Sequence, residues 1–467
     1  MIPATTFAGQ DVAVFGLGRT GVSTCRALLA GGARPHAWDD NESTRDRAAA
    51  EGITLTDLNE ADWSKFSALS LAPGVPLTHP VPHWTVKRAQ DAGIEIIGDV
   101  EIYCRERQKL CPDAPFIAIT GTNGKSTTTA LIAHILESAG KDAQMGGNIG
   151  IPVLDLDGPA PDRLHVIEMS SYQIDLTPTL SPSVAVLLNL SPDHIDRHGT
   201  FENYAAVKAR LLVDAQLCVI GIDDAPSRAI ADGIKERGRQ LASVSSADTA
   251  ADIYCTAGLL HRRGSDQENP VADINGVVSL RGSHNAQNAA AAAAVTGFVG
   301  VSDGDLATAL RTFPGLPHRM EEVGRLDRAI FINDSKATNA DSSSNALASF
   351  ESDIYWIAGG LAKEGGITEL REYFPRIVKA YLIGEAADAF AKTLDGIVDY
   401  SLCGTLDAAI EKVTADVGRA TASQPVVLLS PACASFDQFP SFEKRGDAFR
   451  EQVHAIPGLQ KHTEAKP

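Results

Sequence analysis

The stretch FIAITGTNGKSTT, residues 116–128, decides the fold of the middle of this chain. An apolar run ends at Ile119, a glycine-containing turn follows, and a helix with apolar periodicity continues from Lys125 and Ser126. Strand, glycine loop and helix N-terminus form an anion cradle, because backbone N–H groups and the helix dipole face a phosphate. Lys125 adds a positive charge, and the Ser126 hydroxyl suits Mg²⁺. The stretch therefore predicts binding of a nucleoside triphosphate.

The spacing departs from the general phosphate-loop pattern, because Ile119 stands where that pattern has its first glycine. The loop is therefore a tighter variant, TGTNGKS. An ordinary turn between a strand and a helix is the alternative, and the flanking apolar pattern favours the phosphate loop over it. Phosphate binding alone does not name a reaction.

Composition limits the class of protein. The 467 residues are enough for about two to four domains. The net charge is 41 − 59 = −18, which argues against nucleic acid or an anionic membrane as a partner. No apolar run has the length of a transmembrane helix, and the N-terminus lacks the pattern of a signal peptide. Seven dispersed cysteines without zinc-site spacing suit a reducing cytoplasm.

Strand-like runs alternate with alanine-rich helical stretches, which predicts an α/β fold with mostly parallel sheets. Proline-punctuated connections near 111–115 and 313–317 divide the chain into three blocks. We expect a Rossmann-like N-terminal domain (1–112), a central P-loop ATPase-type domain (113–316) and a Rossmann-like C-terminal domain (317–467). The runs expected to form core strands are Asp11–Phe15, Ala68–Leu71, His165–Glu168, Val184–Asn189, Ala329–Asn333, Ile354–Ala358 and Val426–Ser430.

The first block carries a dinucleotide-type fingerprint. Gly16-Leu-Gly-Arg-Thr-Gly21 follows a strand and opens a helix, and Asp39 ends the next strand. The glycines let the backbone approach a pyrophosphate, and an acidic residue accepts from a ribose hydroxyl. Any diphosphate nucleotide fits this description, including a UDP-sugar. A second turn, Ala72–Pro76, follows the strand that ends at Leu71, at the edge where such sheets bind ligands.

The second block places polar residues after its strands. Glu168 ends an apolar run and is suited to Mg²⁺, directly or through water. The loop 193–198, DHIDRH, offers metal ligands or an acid–base pair, although surface loops are often rich in these residues. Lys208 lies on an alanine-rich helix, where a lysine is ordinarily solvated. Asn288, near the start of a long alanine helix, suits either a helix cap or an adenine contact.

The third block repeats this arrangement at its strand ends. Asn333–Asn339 combines a carboxylate, an ammonium and hydroxyls, and Gly359–Lys363 and Ser430–Phe439 follow two further strands. Parallel strands deliver such loops to one edge, where an open α/β sheet binds its ligand. Arg319, at the inferred joint between blocks, is suited to a phosphate.

Together these segments resemble the Mur ligases, the ATP-dependent enzymes that add amino acids to peptidoglycan precursors. GTNGKST (121–127) marks the superfamily, which also contains folylpolyglutamate synthases. The resemblance spans nearly the whole chain and points to the D-glutamate-adding branch. The motifs that narrow it are GLGRTG (16–21), EMSSYQ (168–173), DHIDRH (193–198), HNAQNA (284–289), PHR (317–319), NDSKATN (333–339) and SPACASFDQF (430–439).

The resemblance implies a reaction in two steps. ATP, bound across the second and third blocks with two Mg²⁺ ions, would convert the L-alanine carboxylate of a UDP-muramoyl substrate into an acyl phosphate. D-Glutamate would then attack, in a cytoplasmic and monomeric enzyme. Lys125 would neutralise the β- and γ-phosphates. The ATP contacts would be Gly121, Thr122, Asn123, Gly124, Lys125, Ser126, Thr127, Asn288, Arg319 and Asp334.

The metal and substrate contacts also follow from the resemblance. Ser126 and Glu168 would hold one Mg²⁺, and His194 and a carbamylated Lys208 would bind near the second. With Lys125, His194 and Lys208 would form the catalytic set, and this role replaces the solvated interpretation of Lys208. The UDP-muramoyl substrate would contact Gly18, Arg19, Thr20, Asp39, Gly74, Asn148 and His194. The D-glutamate contacts would be Lys336, Thr338, Lys363, Ser435, Phe436 and Phe442.

Three stretches depart from the family pattern. Asp39-Asp-Asn41 replaces Asp-Thr-Arg, Gly360-Leu-Ala-Lys363 replaces Gly-Asp-x-Lys, and residues 237–275 match no family motif. Three rival functions remain. A folylpolyglutamate synthase-like ligase leaves the 16–21 fingerprint unexplained, and a nicotinamide-dependent dehydrogenase leaves the phosphate loop without a role. The third is a non-catalytic binding protein switched by ATP.

Overall fold

The computed structural model describes residues 1–264, 270–362, 365–422 and 424–461. Within it the chain forms two compact units. The first comprises Met1–Asp273 and Gln287–Leu310, and the second comprises Ile274–Ala286 and the chain from Arg311 onward. No helix in the described ranges is both long and apolar enough to cross a membrane.

The first unit begins with a parallel four-stranded sheet in the order β2-β1-β3-β4. The turn after β1 needs glycine, because Gly16 has φ 93° and a Cβ on Gly21 would lie 1.9 Å from the Gly16 carbonyl oxygen. The fingerprint helix therefore packs directly on its strand. The elements are β1 (Asp11–Phe15), α1 (Arg19–Ala30), β2 (Arg34–Trp38), α2 (Glu42–Ala50), β3 (Phe66–Leu71), α3 (Trp84–Ala92), β4 (Glu95–Ile97) and α4 (Asp99–Leu110).

A nine-stranded sheet forms the rest of the first unit, in the order β13-β12-β11-β10-β9-β8-β5-β7-β6. Its strands are parallel from β6 to β11, and only β12 and β13 add antiparallel edges. The elements are β5 (Phe116–Thr120), α5 (Lys125–Ser138), β6 (Asp142–Gly147), β7 (Arg163–Glu168), α6 (Ser171–Asp175), β8 (Val184–Leu187), α7 (Ile195–His198), α8 (Phe201–Ala209), β9 (Leu217–Gly221), α9 (Ala225–Glu236), β10 (Leu241–Ser245), β11 (Ile253–Thr256), β12 (Leu259–Arg262), β13 (Ala272–Asp273), α10 (Ser283–Phe298) and α11 (Asp303–Thr312).

The phosphate-loop stretch, residues 116–128, begins in the middle of this sheet. β5 pairs with β7 on one side and β8 on the other, and all five of its residues are buried. Full burial of a side chain such as Ile117 or Ile119 contributes about 1.5–3 kcal/mol, which explains why the run is apolar throughout. Residues 237–275, which match no family motif, supply β10 to β13 at one edge of the sheet.

The second unit contains a seven-stranded sheet in the order β18-β17-β16-β19-β15-β14-β20. In the described part of this sheet β14 pairs antiparallel with both β15 and β20, and the other pairings are parallel. The fully buried Trp356 anchors this sheet by donating from Nε1 to the carbonyl oxygen of Ser430 at 2.8 Å. The elements are β14 (Glu321–Leu326), β15 (Ala329–Asn333), α12 (Ala340–Ala348), β16 (Ile354–Gly359), β17 (Ile377–Ile383), α13 (Ala387–Leu394), β18 (Tyr400–Gly404), α14 (Leu406–Val417), β19 (Val426–Leu429), α15 (Phe442–His454) and β20 (Gln460–Lys461).

The predicted α/β class with parallel-rich sheets is confirmed, and each predicted core strand is present to within two residues at either end. The domain limits at 112 and 316 stay predictions. The N-terminal and central sheets fall in one compact unit, and residues 274–286 fall with the C-terminal unit.

Candidate active site

The phosphate loop is shaped by two glycines. Gly124 precedes α5 in the left-handed conformation, with φ 82°, and a Cβ there would lie 2.4 Å from Asn288 Oδ1. Gly121 has φ 156°, and its Cβ would lie 3.0 Å from the Cβ of Leu188. The Asn189 side chain braces the turn by accepting from the Asn123 backbone N–H at 2.8 Å. The first turn of α5 is thus held open as an anion site.

Lys125 and its neighbours line this loop as predicted. The Lys125 ammonium donates to the carbonyl oxygens of Gly121 at 2.8 Å and Thr122 at 2.7 Å. Its charge is therefore held over the loop. Ser126 and Thr127 are buried on the first turn of α5.

Glu168 ends β7 beside this loop and is 2% exposed. Its Oε1 accepts from Asn148 Nδ2 at 2.6 Å, whereas Oε2 has no hydrogen-bond partner among the described residues. A buried carboxylate oxygen is costly to leave without a partner, so this orphaned atom indicates a cation ligand. Asn148, which the resemblance assigns to the UDP-substrate, thus contacts the residue predicted to bind the metal.

Lys208 is buried, so the solvated interpretation of its helix position is wrong. It is 2% exposed, and its Nζ donates to Thr120 Oγ1 at 3.1 Å and to the Gly121 carbonyl oxygen at 2.8 Å. Burial, reinforced by the charge of Lys125, lowers the pKa of Lys208 well below its usual value. Asp193 and Glu168 oppose this shift. The site therefore favours the neutral amine beside the phosphate loop.

His194 lies near Lys125 and Lys208. It has φ 52° and forms the N-cap of the four-residue helix α7. Burial lowers its pKa and the charge of Lys125 lowers it further, although Asp193 and Asp196 oppose this shift. The neutral imidazole is therefore favoured at pH 7, as a metal or substrate contact requires.

The two histidines of the loop 193–198 have different polar partners. Asp193 Oδ2 lies 3.4 Å from His194 Nε2, but the buried His198 hydrogen bonds to Ser171 Oγ at 2.9 Å. No group of three or more His, Cys, Asp or Glu positioned for a metal occurs among the described residues.

Predicted UDP-substrate contacts lie at the carboxyl edge of the first sheet. Asp39 accepts from the Leu17 N–H at 2.8 Å and the Asn41 N–H at 2.9 Å, which fixes its carboxylate between β1 and β2. Arg19, next to Gly18 and Thr20 at the start of α1, donates to the Gly150 carbonyl oxygen at 2.8 Å. Asp40, a departure from the family pattern, accepts from Trp84 Nε1 at 3.1 Å.

In the second unit Asp334 is buried at the end of β15. It accepts from Ser430 Oγ at 2.8 Å and from the Met320 N–H at 3.3 Å. Burial raises its pKa to about 7, although Ser430 and the nearby Arg319 oppose this rise. The carboxylate therefore changes charge near neutral pH.

The predicted D-glutamate contacts lie on loops of the same unit. Lys336 Nζ lies 3.9 Å from the centre of the Phe442 ring, so these two predicted contacts meet. Ser435 is buried and Phe436 is 70% exposed. Lys363 lies outside the described residues.

Two residues were missed by the sequence analysis. Arg445 is buried and joins the loops after β15 and β19, because it donates to the carbonyl oxygens of Ser335 at 2.9 Å and Cys433 at 3.0 Å. Tyr204 lies under Lys208, with Nζ 4.9 Å from its ring centre. Its spacing of four residues from Lys208 on one helix was the available signal. Arg445 left no such signal, because its partners Ser335 and Cys433 are far away in sequence.

Family models match three parts of the chain. The Mur ligase MurD-like N-terminal domain covers residues 10–98, the Mur ligase middle domain covers 119–296, and the Mur ligase glutamate ligase domain covers 318–433. Among solved structures, the UDP-N-acetylmuramate-alanine ligase MurC from Thermotoga maritima is similar with a TM-score of 0.59 and 17% identity, covering 96% of this chain and 99% of that one. A MurF structure from Acinetobacter baumannii has a TM-score of 0.56 and 18% identity over 75% of this chain and 79% of that one. These two likenesses support the fold.

Curated relatives are much more similar in sequence. The UDP-N-acetylmuramoylalanine--D-glutamate ligase of Chelativorans sp. (strain BNC1) is 56% identical over 461 residues, 98% of each chain. The protein of the same name from Brucella abortus (strain 2308) is 54% identical over 460 residues, also 98% of each chain. Identity at this level over nearly the whole length confirms the predicted resemblance. The chain therefore belongs to the Mur ligase family.

Proposed function

We propose that the protein is an ATP-dependent ligase that joins D-glutamate to UDP-N-acetylmuramoyl-L-alanine during peptidoglycan precursor synthesis, releasing ADP and phosphate. The relatives that match 98% of the chain carry this activity in their names. The observation that carries the proposal is the convergence of Lys125, Glu168 and the buried Lys208 at one phosphate loop. A carboxylate for Mg²⁺ would serve any loop that binds ATP, whereas the buried amine of Lys208 is not needed for ATP binding alone.

In the first step the alanyl carboxylate attacks the γ-phosphorus of ATP and ADP leaves. Such phosphoryl transfer is accelerated mainly by positioning and charge neutralisation. The N–H groups at the start of α5 bind phosphate oxygens, and the Lys125 ammonium neutralises the charge that develops on them. The neutral imidazole of His194 is suited to orient the attacking carboxylate.

The residues present fit a Mg²⁺ ion at this loop. Mg²⁺ is usually held by one or two protein oxygens together with substrate phosphates, so it needs no cluster of three side chains. Glu168 Oε2, orphaned and buried, and the Ser126 hydroxyl would hold it. When bound, the ion would offset the charge on the phosphates. His194 and a modified Lys208 are our proposed contacts for a second ion.

The surroundings of Lys208 support its carbamylation. A neutral amine has two N–H bonds and one lone pair. Hydrogen bonds to Thr120 Oγ1 and the Gly121 carbonyl oxygen use both donors and leave the lone pair for CO₂. CO₂ adds to this lone pair, so the N–C bond forms as one N–H bond breaks and its proton is released to solvent. The neutral buried amine thereby becomes a carbamate anion, which the charge of Lys125 nearby stabilises.

In the second step the amine of D-glutamate attacks the acyl carbon and phosphate leaves. D-Glutamate carries two carboxylates, which call for cationic and hydroxyl partners. In the second unit Lys336 is held beside Phe442, and Arg445 is buried behind the loops that carry Lys336 and Ser435. We assign the amino-acid site to these loops, with Thr338, Lys363 and Phe436 as further contacts.

The UDP-muramoyl substrate is assigned to the carboxyl edge of the first sheet. Asp39 is fixed there as an acceptor. Gly18, Arg19 and Thr20 lie where β1 leads into α1, and Gly74 lies in the turn after β3. We further propose that the enzyme acts as a monomer in the cytoplasm, where ATP is available.

The experiment that tests this proposal separates its two sites. Lys125→Ala removes the charge over the phosphate loop, so acyl-phosphate formation should be lost while the UDP-substrate still binds, as measured by calorimetry. Equal loss of both would refute the assignment of the UDP-substrate to the first sheet. Phosphate release that does not depend on the amino acid would favour an ATP-switched binding protein over a ligase.

A further inference from the structure

Arg197, in the loop 193–198, joins two stretches that are far apart in sequence. Its Nη1 donates to the carbonyl oxygen of Gly74 at 2.8 Å, and its Nη2 donates to that of Val75 at 2.9 Å. These carbonyls belong to the turn after β3, which contains the proposed UDP-substrate contact Gly74. A planar guanidinium fork that satisfies two successive carbonyls fixes both distance and orientation.

The other side of the Arg197 side chain contacts an aromatic cluster. Its guanidinium carbon lies 4.5 Å from the centre of the Tyr172 ring. That ring lies 5.1 Å from the His194 ring and is stacked on His198 at 5.6 Å. The guanidinium is therefore wedged between the turn at Gly74 and the ring that contacts His194.

The helix that carries Arg197 needs such external support. α7 has four residues, too few to be stable alone, and its N-cap His194 has a φ of 52°, which is strained for a residue other than glycine. Gly199 ends it with φ 78°, and a Cβ there would lie 2.8 Å from His79 Nε2. The position of His194 is consequently set by tertiary contacts.

We propose that Arg197 is a positioning residue for the ligase reaction, which couples the turn at Gly74–Val75 to His194 through α7 and Tyr172. The inference rests on the proposed function. The turn that receives the UDP-substrate and the imidazole that faces the phosphate loop are thereby held at a fixed separation. Arg197 itself contacts main-chain carbonyls and a ring, and is assigned no contact with the reacting atoms.

The test compares Arg197→Met and Arg197→Lys with the control Arg228→Met, which breaks an ion pair with Asp248. Methionine keeps much of the side-chain volume but removes both donors. A misplacement of about 1 Å costs about 100-fold in rate, so we expect R197M to lose about that factor in kcat. Its affinity for a non-hydrolysable ATP analogue and its melting temperature should stay close to those of the wild type. R197K should be intermediate, and R228M should match the wild type.

Other outcomes would overturn the inference. A wild-type kcat in R197M would do so, as would a loss of ATP-analogue affinity and melting temperature that accounts for the whole loss of activity. If R197M does not fold, the test is made with R197K. A wild-type kcat in R197K would show that the paired hydrogen bonds of the guanidinium are not needed, which contradicts the inference. An inactive wild-type enzyme would instead refute the proposed function, so the two failures are distinguishable.

Discussion

Lys208 shows how burial can change the chemistry of one side chain. Its amine is enclosed by Thr120, Gly121 and the Tyr204 ring, and its pKa is lowered well below the ordinary value by burial and by Lys125. A lysine that served only as a cation would gain nothing from this position, because burial penalises the charged form. The position is understandable if the amine is converted into a carbamate.

Removing this side chain should therefore remove an anion that the reaction needs. We expect Lys208→Ala to lower kcat by about 10²–10³, the range observed for the loss of one electrostatic contact in an active site. Bicarbonate or short carboxylic acids should partly restore activity, since they refill the site with a carboxylate. Steady-state assays measure both effects, with the exposed Lys235→Ala as control. Wild-type turnover in K208A would contradict carbamylation.

Asp334 should make the stability of the second unit depend on pH. Its pKa is raised from 3.8 to about 7 by burial, so between these values the folded state binds more protons than the unfolded state. The free energy of unfolding should then fall as pH rises from 4 to 7, and stay level above 7 as far as this group is concerned.

Urea unfolding of the wild type and Asp334→Asn at several pH values measures this contribution. The unfolding free energy of the wild type, relative to that of the asparagine variant, should fall as pH rises from 4 to 7, because asparagine does not titrate. Parallel curves would show that the carboxyl group is already ionised at low pH in the folded protein.

At the scale of elements, the phosphate site is formed jointly by the strand β5, the loop after it and the helix α5. Gly124 and Gly140 flank α5, and both have positive φ. A Cβ at Gly124 would meet Asn288 Oδ1 at 2.4 Å, whereas a Cβ at Gly140 would meet nothing within 4 Å. Alanine at Gly140 therefore introduces backbone strain alone, whereas alanine at Gly124 introduces the same strain and a clash with Asn288.

Both alanine variants should lose about 1–2 kcal/mol of stability from the left-handed conformation. Gly124→Ala should in addition weaken binding of an ATP analogue at least about tenfold, equivalent to about 1.4 kcal/mol, because the loop must open to avoid Asn288. Gly140→Ala should bind the analogue as the wild type does. Calorimetric titration of the two variants measures the difference, and equal affinities would mean that the loop tolerates a Cβ.

The elements show what the sequence could predict. The run 116–120 is apolar because both faces of β5 are covered, and glycines mark the turn that follows, so strand, loop and helix were all recognisable. Parallel strands also placed Glu168 correctly at the end of β7. The partners of Glu168 and Lys208 were not predictable, because Asn148, Thr120 and Gly121 reach them only through tertiary packing.

Dependence on tertiary packing also explains the other differences between the predicted and the observed site. Asp193 and His198 lie five residues apart, but the short helix α7 turns His198 toward Ser171, and spacing alone does not fix that direction. The role of Arg197 was hidden for a similar reason, since its partners are the carbonyl oxygens of a distant turn.

At the scale of the whole molecule, the N-terminal segment contributes to the first unit. Glu106 on α4 is fully buried, accepting from Thr5 Oγ1 at 2.7 Å and the Thr6 N–H at 2.5 Å. Ile2 donates from its N–H to the carbonyl oxygen of Leu154 at 2.7 Å. The first residues thus tie α4 and the central part of the chain together.

Replacing this buried carboxylate should destabilise one unit selectively. Hydrogen bonds to charged groups contribute about 1.5–3 kcal/mol, so Glu106→Gln should lower the first unit's unfolding free energy by a similar amount. Differential scanning calorimetry should show the transition of that unit at a lower temperature and the other unit unchanged. Glu137→Gln, at an exposed position on α5, is the control. A shift of both transitions together would show that the units unfold as one.

The central claim concerns the two molecules that are joined. ATP-dependent phosphate release is measured with UDP-N-acetylmuramoyl-L-alanine and, in turn, D-glutamate, L-glutamate and meso-diaminopimelate. We predict rapid release and a ligated product with D-glutamate alone. Equal release with all three amino acids, release without any amino acid, or product formation with only one of the other two would contradict the account.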